Sequence, residues 1–96
     1  MMITVRFLGV YRSIVGRDSV TFDVASGKKI IDLVRIVSDR IKKPEFTRVF
    51  IDPELQDPRP NSVILVNDKE ISALNGLKTD LHEDDEVLFV PMVHGG

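Results

Sequence analysis

Ile30-Ile31-Asp32-Leu33-Val34-Arg35-Ile36-Val37-Ser38-Asp39-Arg40-Ile41 sets Ile30, Leu33, Val34, Val37 and Ile41 three and four positions apart, with Asp32, Arg35 and Asp39 on the opposite side. That spacing keeps returning to one face of a 3.6-residue turn, so the region between Ser26 and Lys43 reads as an amphipathic helix laid across a sheet. Asp32 near its start and Arg40, Lys42 and Lys43 near its end suit the helix dipole. Pro44 closes it, because the residue before a proline disfavours helical backbone. Two readings of the start stay open: Ser26 caps the helix, or it begins nearer Ile30 with Lys29 at a position that prefers Ser, Thr, Asp or Asn.

Outward from this helix the period changes to two. Ile3, Val5 and Phe7 alternate with polar residues, and so do Val20-Thr21-Phe22-Asp23-Val24, which makes two strands joined as a hairpin by a longish loop with a turn at Gly16. On the other side, residues 45 to 62 carry Pro53, Pro58 and Pro60 among Asp and Asn, and read as a long irregular connection in which Val49-Phe50-Ile51 touches the core. Val63-Ile64-Leu65-Val66 is a nearly all-apolar strand of interior type, turning at Asn67-Asp68 into a short piece around Glu70-Ile71. After the turn-rich stretch 74–81 and the acidic turn Glu83-Asp84-Asp85, Glu86-Val87-Leu88-Phe89-Val90 forms the last strand, ended by Pro91. The order strand, strand, helix, strand, short strand, strand predicts an α+β fold. A mixed sheet of four to five strands carries one main helix across one face, in the β-grasp, ubiquitin-like arrangement.

Ninety-six residues suffice for one hydrophobic core but not for a substrate cleft with a separate cofactor domain. With 43% hydrophobic and 29% charged residues the whole chain should fold as one domain over 1–93, leaving a flexible tail, 94–96. The 13 basic residues are scattered and the formal net charge is −2, so no nucleic-acid stripe is visible. No apolar run approaches a membrane span, and Met1–Arg6 lacks the basic start and apolar stretch of a secretory signal, so neither membrane nor export is expected and the cytoplasm is. The absence of cysteine removes thiolate metal sites, a cysteine nucleophile and any side-chain persulfide.

The last residues are His94-Gly95-Gly96. Two glycines with no chain after them redirect nothing, so the usual turn and cap explanations do not apply. Without side chains they can be drawn extended through a channel too narrow for any Cβ, delivering the Gly96 carboxylate to a site in another protein. The bland alternative is a frayed end.

Val66-Asn67-Asp68-Lys69-Glu70-Ile71, Leu74-Asn75-Gly76-Leu77-Lys78-Thr79-Asp80-Leu81 and Asp85-Glu86-Val87 running through Phe89-Val90-Pro91-Met92-Val93-His94-Gly95-Gly96 resemble the MoaD/ThiS family of ubiquitin-like sulfur carriers, which extends to the archaeal small modifier proteins. The resemblance covers the chain and is most specific in its C-terminal third. Met92 and His94 stand where the family often has a second proline and a small residue, and Asp68 where a glycine is common. What the resemblance implies is a carrier and not an enzyme: a MoeB-like adenylating partner uses ATP and magnesium to adenylate the Gly96 carboxylate, and a sulfur donor then displaces AMP to leave a thiocarboxylate. The chain itself would bind no cofactor and no metal. The implied acceptors are a pterin precursor inside a MoaE-like large subunit of molybdopterin synthase, or lysines of target proteins, this chain's Lys28, Lys42 or Lys69 among them. A plain interaction module with an inert tail is the third reading.

For partner docking, strand alternation is informative. If Val87 and Phe89 point into the core, Leu88 and Val90 point out, making an apolar stripe toward Pro91, Met92, Val93 and His94. The alternative is that the 45–62 connection covers Leu88 and Val90. Asp80, Glu83, Asp84, Asp85 and Glu86 lack calcium-loop spacing and read as a solvated turn able to steer a basic surface. His82 and His94 stand too far apart in sequence to suggest a metal or catalytic pair.

Overall fold

The computed structural model, which describes residues 1–92, has five strands among them: β1 Met2–Phe7, β2 Ser19–Asp23, β3 Ser62–Val66, β4 Lys69–Glu70 and β5 Glu86–Pro91. Their order across the sheet is β2-β1-β5-β3-β4, with β1 and β5 parallel and every other neighbouring pair antiparallel. The β3–β4 hairpin turns at Asn67 and Asp68, both at positive φ (47° and 70°), the backbone a two-residue hairpin requires and one that Asn and Asp tolerate. β3 runs parallel to β2 with β1 and β5 lying between them, so the crossover that the central helix implied spans the width of two strands. This is the β-grasp architecture the chain pattern predicted.

Three helices cover one face: α1 Gly9–Val15, α2 Ile30–Arg40 and α3 Pro44–Phe50. α2 is the predicted helix. It starts at Ile30 after Lys29, whose backbone N–H donates to the Asp32 carboxylate at 2.9 Å, and it buries Ile30, Leu33, Val34 and Val37. No helix among the described residues is long and apolar enough to cross a membrane.

α1 and α3 correct the sequence reading. The segment between the first two strands, read as a loop, is a helix that ends on Gly16 at φ 80°, the left-handed residue that closes a helix with least strain. The segment after Pro44, read as irregular, begins with a helix: Pro44 occupies its first turn, where the missing N–H would have had no partner anyway. Phe46 and Phe50, one helical turn apart, are both fully buried.

The aromatic side chains bring these pieces together. Phe7 of β1 stacks near Phe89 of β5, with ring centroids 6.5 Å apart, and Phe46 meets Phe7 edge-on at 5.7 Å. Phe50 meets Phe89 edge-on at 4.9 Å, and Tyr11 lies edge-on to Phe46 and Phe50 at 5.8 and 5.5 Å. Edge-to-face packing adds to the stabilisation from burying these rings. The Tyr11 hydroxyl lies 2.6 Å from Ser62 Oγ and 3.0 Å from the Asn61 carbonyl, so the one polar group in the cluster is satisfied at the start of β3. Burial holds this phenol above its usual range, and it stays a neutral donor at ordinary pH.

Tyr11→Phe removes the hydroxyl without opening a cavity and leaves buried Ser62 with one partner fewer. Urea denaturation should show a loss of about 1–2 kcal/mol; an unchanged midpoint would mean the hydroxyl does not hold the entry to β3.

Candidate functional site

Alternation along β5 separates the sheet into two faces. Val87 and Phe89 are fully buried beneath the helices, while Leu88 and Val90 point to the opposite face and remain half-exposed. The register sets Leu88 between Arg6 of β1 and Leu65 of β3, and Val90 beside Val63. α3 packs its two Phe rings on Phe7 and Phe89, across the helix-covered face, so Leu88 and Val90 lie on the side of the sheet away from it. Leu8 (40% exposed) after β1 and Met92 (42%) after β5 extend the same apolar band. The exposed Arg6–Glu86 ion pair, 3.5 Å apart, borders it and contributes little energy of its own.

Three members of this face went unread in the sequence. Leu8 continues the Thr4, Arg6 alternation and could have been found from it. Val63 and Leu65 were hidden because their strand looked uniformly apolar; in the fold they alternate with buried Ser62, Ile64 and Val66 and are only half-buried.

The chain leaves this face at a fixed point. The Met92 backbone N–H donates to the Asn61 carbonyl at 2.9 Å, and the Tyr11 hydroxyl donates to that same oxygen, so one carbonyl ties the helix-covered core to the residue from which the tail departs. Pairing with β3 therefore continues one residue past Pro91. Pro91 does not interrupt a ladder: it sits opposite Ser62 on one side, and on the other β1 has already ended opposite Phe89 at Phe7. There the proline ring meets Gly9. Gly9 has φ +54°, and a Cβ built on it would stand 3.0 Å from Pro91 Cγ, so both backbone conformation and space call for glycine. Val93, His94, Gly95 and Gly96 lie outside the described residues.

At the opposite end of the sheet the acidic turn divides into structural and exposed members. Asp85 is 8% exposed and accepts the His82 backbone N–H and the Asn67 side-chain amide, both at 2.8 Å. Asn67 Oδ1 in turn accepts the Glu86 N–H at 2.9 Å. Asp85 therefore closes the β3–β4 turn onto β5 and is no part of a solvated cluster. Glu83 accepts the Met2 N–H at 2.9 Å, and Asp80 pairs with Lys29, whose hydrogen bond lowers the Asp80 pKa. Among the described residues no three His, Cys, Asp or Glu side chains are grouped to hold a metal. Lys28, Lys42 and Lys69 are exposed.

Comparison with known proteins gives the following. Residues 2–96 match the family model described as Urm1 (Ubiquitin related modifier). The chain is 35% identical over 68 residues to "Ubiquitin-related modifier 1" of Schizosaccharomyces pombe, a match covering 71% of this chain and 68% of that protein. The curated relatives it matches are covered over 38% to 68% of their own lengths. The solution structure of small archaeal modifier protein 1 from Methanosarcina acetivorans superposes with TM-score 0.82 at 26% identity, covering 99% of this chain and 96% of that one. That of Urm1 from Trypanosoma brucei gives TM-score 0.77 at 27% identity, covering 99% and 95%.

Gly9→Ala tests whether the exit point is held rigidly. It should cost about 1–2 kcal/mol of stability, because an L-residue is strained at this φ and its methyl group crowds Pro91. In amide exchange, the Met92 N–H should lose protection while those of β1 facing β2 keep theirs; equal loss at both would show that Gly9 has no special bearing on the exit.

Proposed function

The chain belongs to the Urm1, ubiquitin related modifier, family, and on that premise we propose that it works through its terminal carboxylate, as a ubiquitin-like carrier that a partner enzyme activates at Gly96. The supporting observation is the geometry at Met92. A hydrogen-bonded exit point stands at the end of an apolar sheet face without α-helices, so a partner can grip the face and receive the tail that follows Met92. Four residues drawn out beyond Met92 would reach about 13 Å, enough to pass Gly95-Gly96 through a wall that excludes side chains.

A carboxylate resists nucleophilic attack because its charge is delocalised and its oxygens are poor leaving groups. In the proposed reaction the partner joins the Gly96 carboxylate to the α-phosphate of ATP with release of pyrophosphate, and magnesium on that partner offsets the phosphate charge. A hydrosulfide-level donor then displaces AMP and leaves a thiocarboxylate. In this proposal the chain supplies the reacting group, the Gly96 carboxylate oxygen that attacks the α-phosphate, but no catalytic side chain; the rest of its share is the docking face, the exit point at Met92 and a tail without bulk. The resemblance of residues 66–96 to sulfur carriers supports thiocarboxylate formation, with the pterin precursor of molybdopterin as the destination it implies. A cytoplasmic setting belongs to the same proposal.

A second reading is favoured by the names of the matched proteins, which are modifiers. Here a lysine ε-amine on a target attacks the activated Gly96 carbonyl, AMP leaves, and an isopeptide bond forms. Both readings use one activated terminus and differ only in the nucleophile.

Incubating the chain with the adenylating enzyme of its own organism, ATP and a sulfur donor, followed by intact mass measurement, separates them. Exchange of one oxygen for sulfur at the terminus is expected for the carrier, and adducts on lysines of added cell proteins for the modifier; an unaltered mass in both would overturn the proposal. Removing Gly95 and Gly96 should abolish either product without lowering Tm. Val90→Asp should weaken binding to the adenylating enzyme tenfold or more while costing under about 1 kcal/mol of stability, since it places a charge on the open face and not in the core.

A further inference from the structure

The two ends of the sheet differ in charge. At one end Asp23, Glu83 and Asp84 surround the start of β1. The tail leaves from the other end, where cations gather around α1. Arg12 and Arg17 line a broad depression of about 780 Å³ beside Gly9 and Ser19. Lys43, just before α3, donates its ammonium to the Ile14 carbonyl at 2.9 Å. Arg48 lines a second depression, of about 320 Å³, on the other side of α1. Arg12 is paired with Asp18, but among the described residues none of Arg17, Lys43 and Arg48 has a carboxylate within 4.0 Å. Besides Asp18, the exposed acid on these elements is Glu45, in the first turn of α3.

The second depression has an apolar part beside Arg48 and Asn61. Val10 is 48% exposed and Met92 42%, and both line it with Val49, Tyr11 and Pro91. Thus a patch of aliphatic surface bordered by Arg48, with Arg12 and Arg17 across α1, abuts the tail's exit on the helix side, separate from the open sheet face. Met92 and Leu8 lie where the two surfaces meet.

We propose that this α1–α3 end is a second docking surface, taking an acidic segment with apolar side chains that belongs to the protein receiving the tail. This rests on the reading of the tail as a substrate, and adds the chemistry of what meets it. Charge complementarity selects the occupant: Arg17 and Arg48, which have no carboxylate partner among the described residues, attract carboxylates, and the acids at the far end disfavour them, so an approaching acidic surface is steered to the end that carries the tail. The apolar part of the depression argues for protein over nucleic acid, since neither phosphate nor sugar uses Val10 and Met92, and Tyr11 is buried where it offers no base a stacking surface.

The test measures association of the full chain with its organism's adenylating enzyme by stopped flow, between roughly 0.02 and 0.3 M salt, for the parent and for Arg17→Glu/Arg48→Glu. Lys43 is left in place because it also ties α1 to α3, and the urea midpoint checks folding. The variant should associate at least tenfold more slowly at low salt, with a flattened salt dependence, and should still be activated at the parent's rate when the enzyme is saturated. Equal association rates and salt slopes would overturn the surface while leaving tail activation standing. Salt-sensitive association that the variant loses, with no activation of the parent, would overturn the tail reading and keep the surface. A parent that does not associate at all removes both. Tighter binding of a single-stranded RNA 20-mer than of the enzyme, lost in the variant, would overturn the assignment to a protein partner.

Discussion

The carbonyl oxygen of Asn61 is the point on which the two halves of the molecule depend. It accepts the Tyr11 hydroxyl from the helix-covered side and the Met92 N–H from the end of β5. Tyr11 in turn is fixed by Phe46 and Phe50, and those rings by Phe7 and Phe89. Four chain segments remote in sequence therefore meet in one cluster, and its only polar group is spent on the backbone beside the exit. A buried phenol without such an acceptor would cost roughly 1–3 kcal/mol, so hydroxyl and carbonyl fix one another's position. Loosening the cluster would both destabilise the domain and release Met92 from its bond to the start of β3.

The far end of the sheet is held by a different chemistry. Asp85, Asn67 and the backbone of His82 and Glu86 form a compact hydrogen-bonded set that fixes the β3–β4 turn against the start of β5. Because β5 lies between β1 and β3, a one-residue slip of its register would move Leu88 and Val90 into the core and Val87 and Phe89 out of it. Polar satisfaction at one end and aromatic packing at the other thus protect the same alternation, and the open apolar face exists only while both hold.

How much of this was legible in the sequence depended on the range of the interaction. The strands and α2 carry their own periodic signal, and with them the β-grasp order and the outward direction of Leu88 and Val90. α1 and α3 are each seven residues long, too short to be stable alone, and form because Tyr11, Phe46 and Phe50 have a core to enter. Phe46 and Phe50 stand one helical turn apart, but in sequence alone Pro44 suits the stop of one helix and the start of the next equally. The contact of Gly9 with Pro91 and the shared carbonyl of Asn61 join residues from opposite parts of the chain, and no local pattern announces them. Asp85 looked like its acidic neighbours; only the fold shows that it faces inward.

The core and the proposed docking surfaces use separate sets of residues, and the separation follows from the sheet itself. Helices on one face satisfy the core, so the other face is free to stay apolar without weakening it, and the cations around α1 sit on helix surface that the core does not use. A domain of this size has little stability to spare, since one kcal/mol is a large fraction of a net value of about 5–15 kcal/mol. Surfaces meant to meet a partner are therefore best placed where a change costs the fold little. Gly9, and Tyr11 through its bond to the Asn61 backbone carbonyl, are the exceptions. They serve stability and aim together, which makes the root of the tail, and not the apolar band, the place where a substitution should be unable to disturb one without the other.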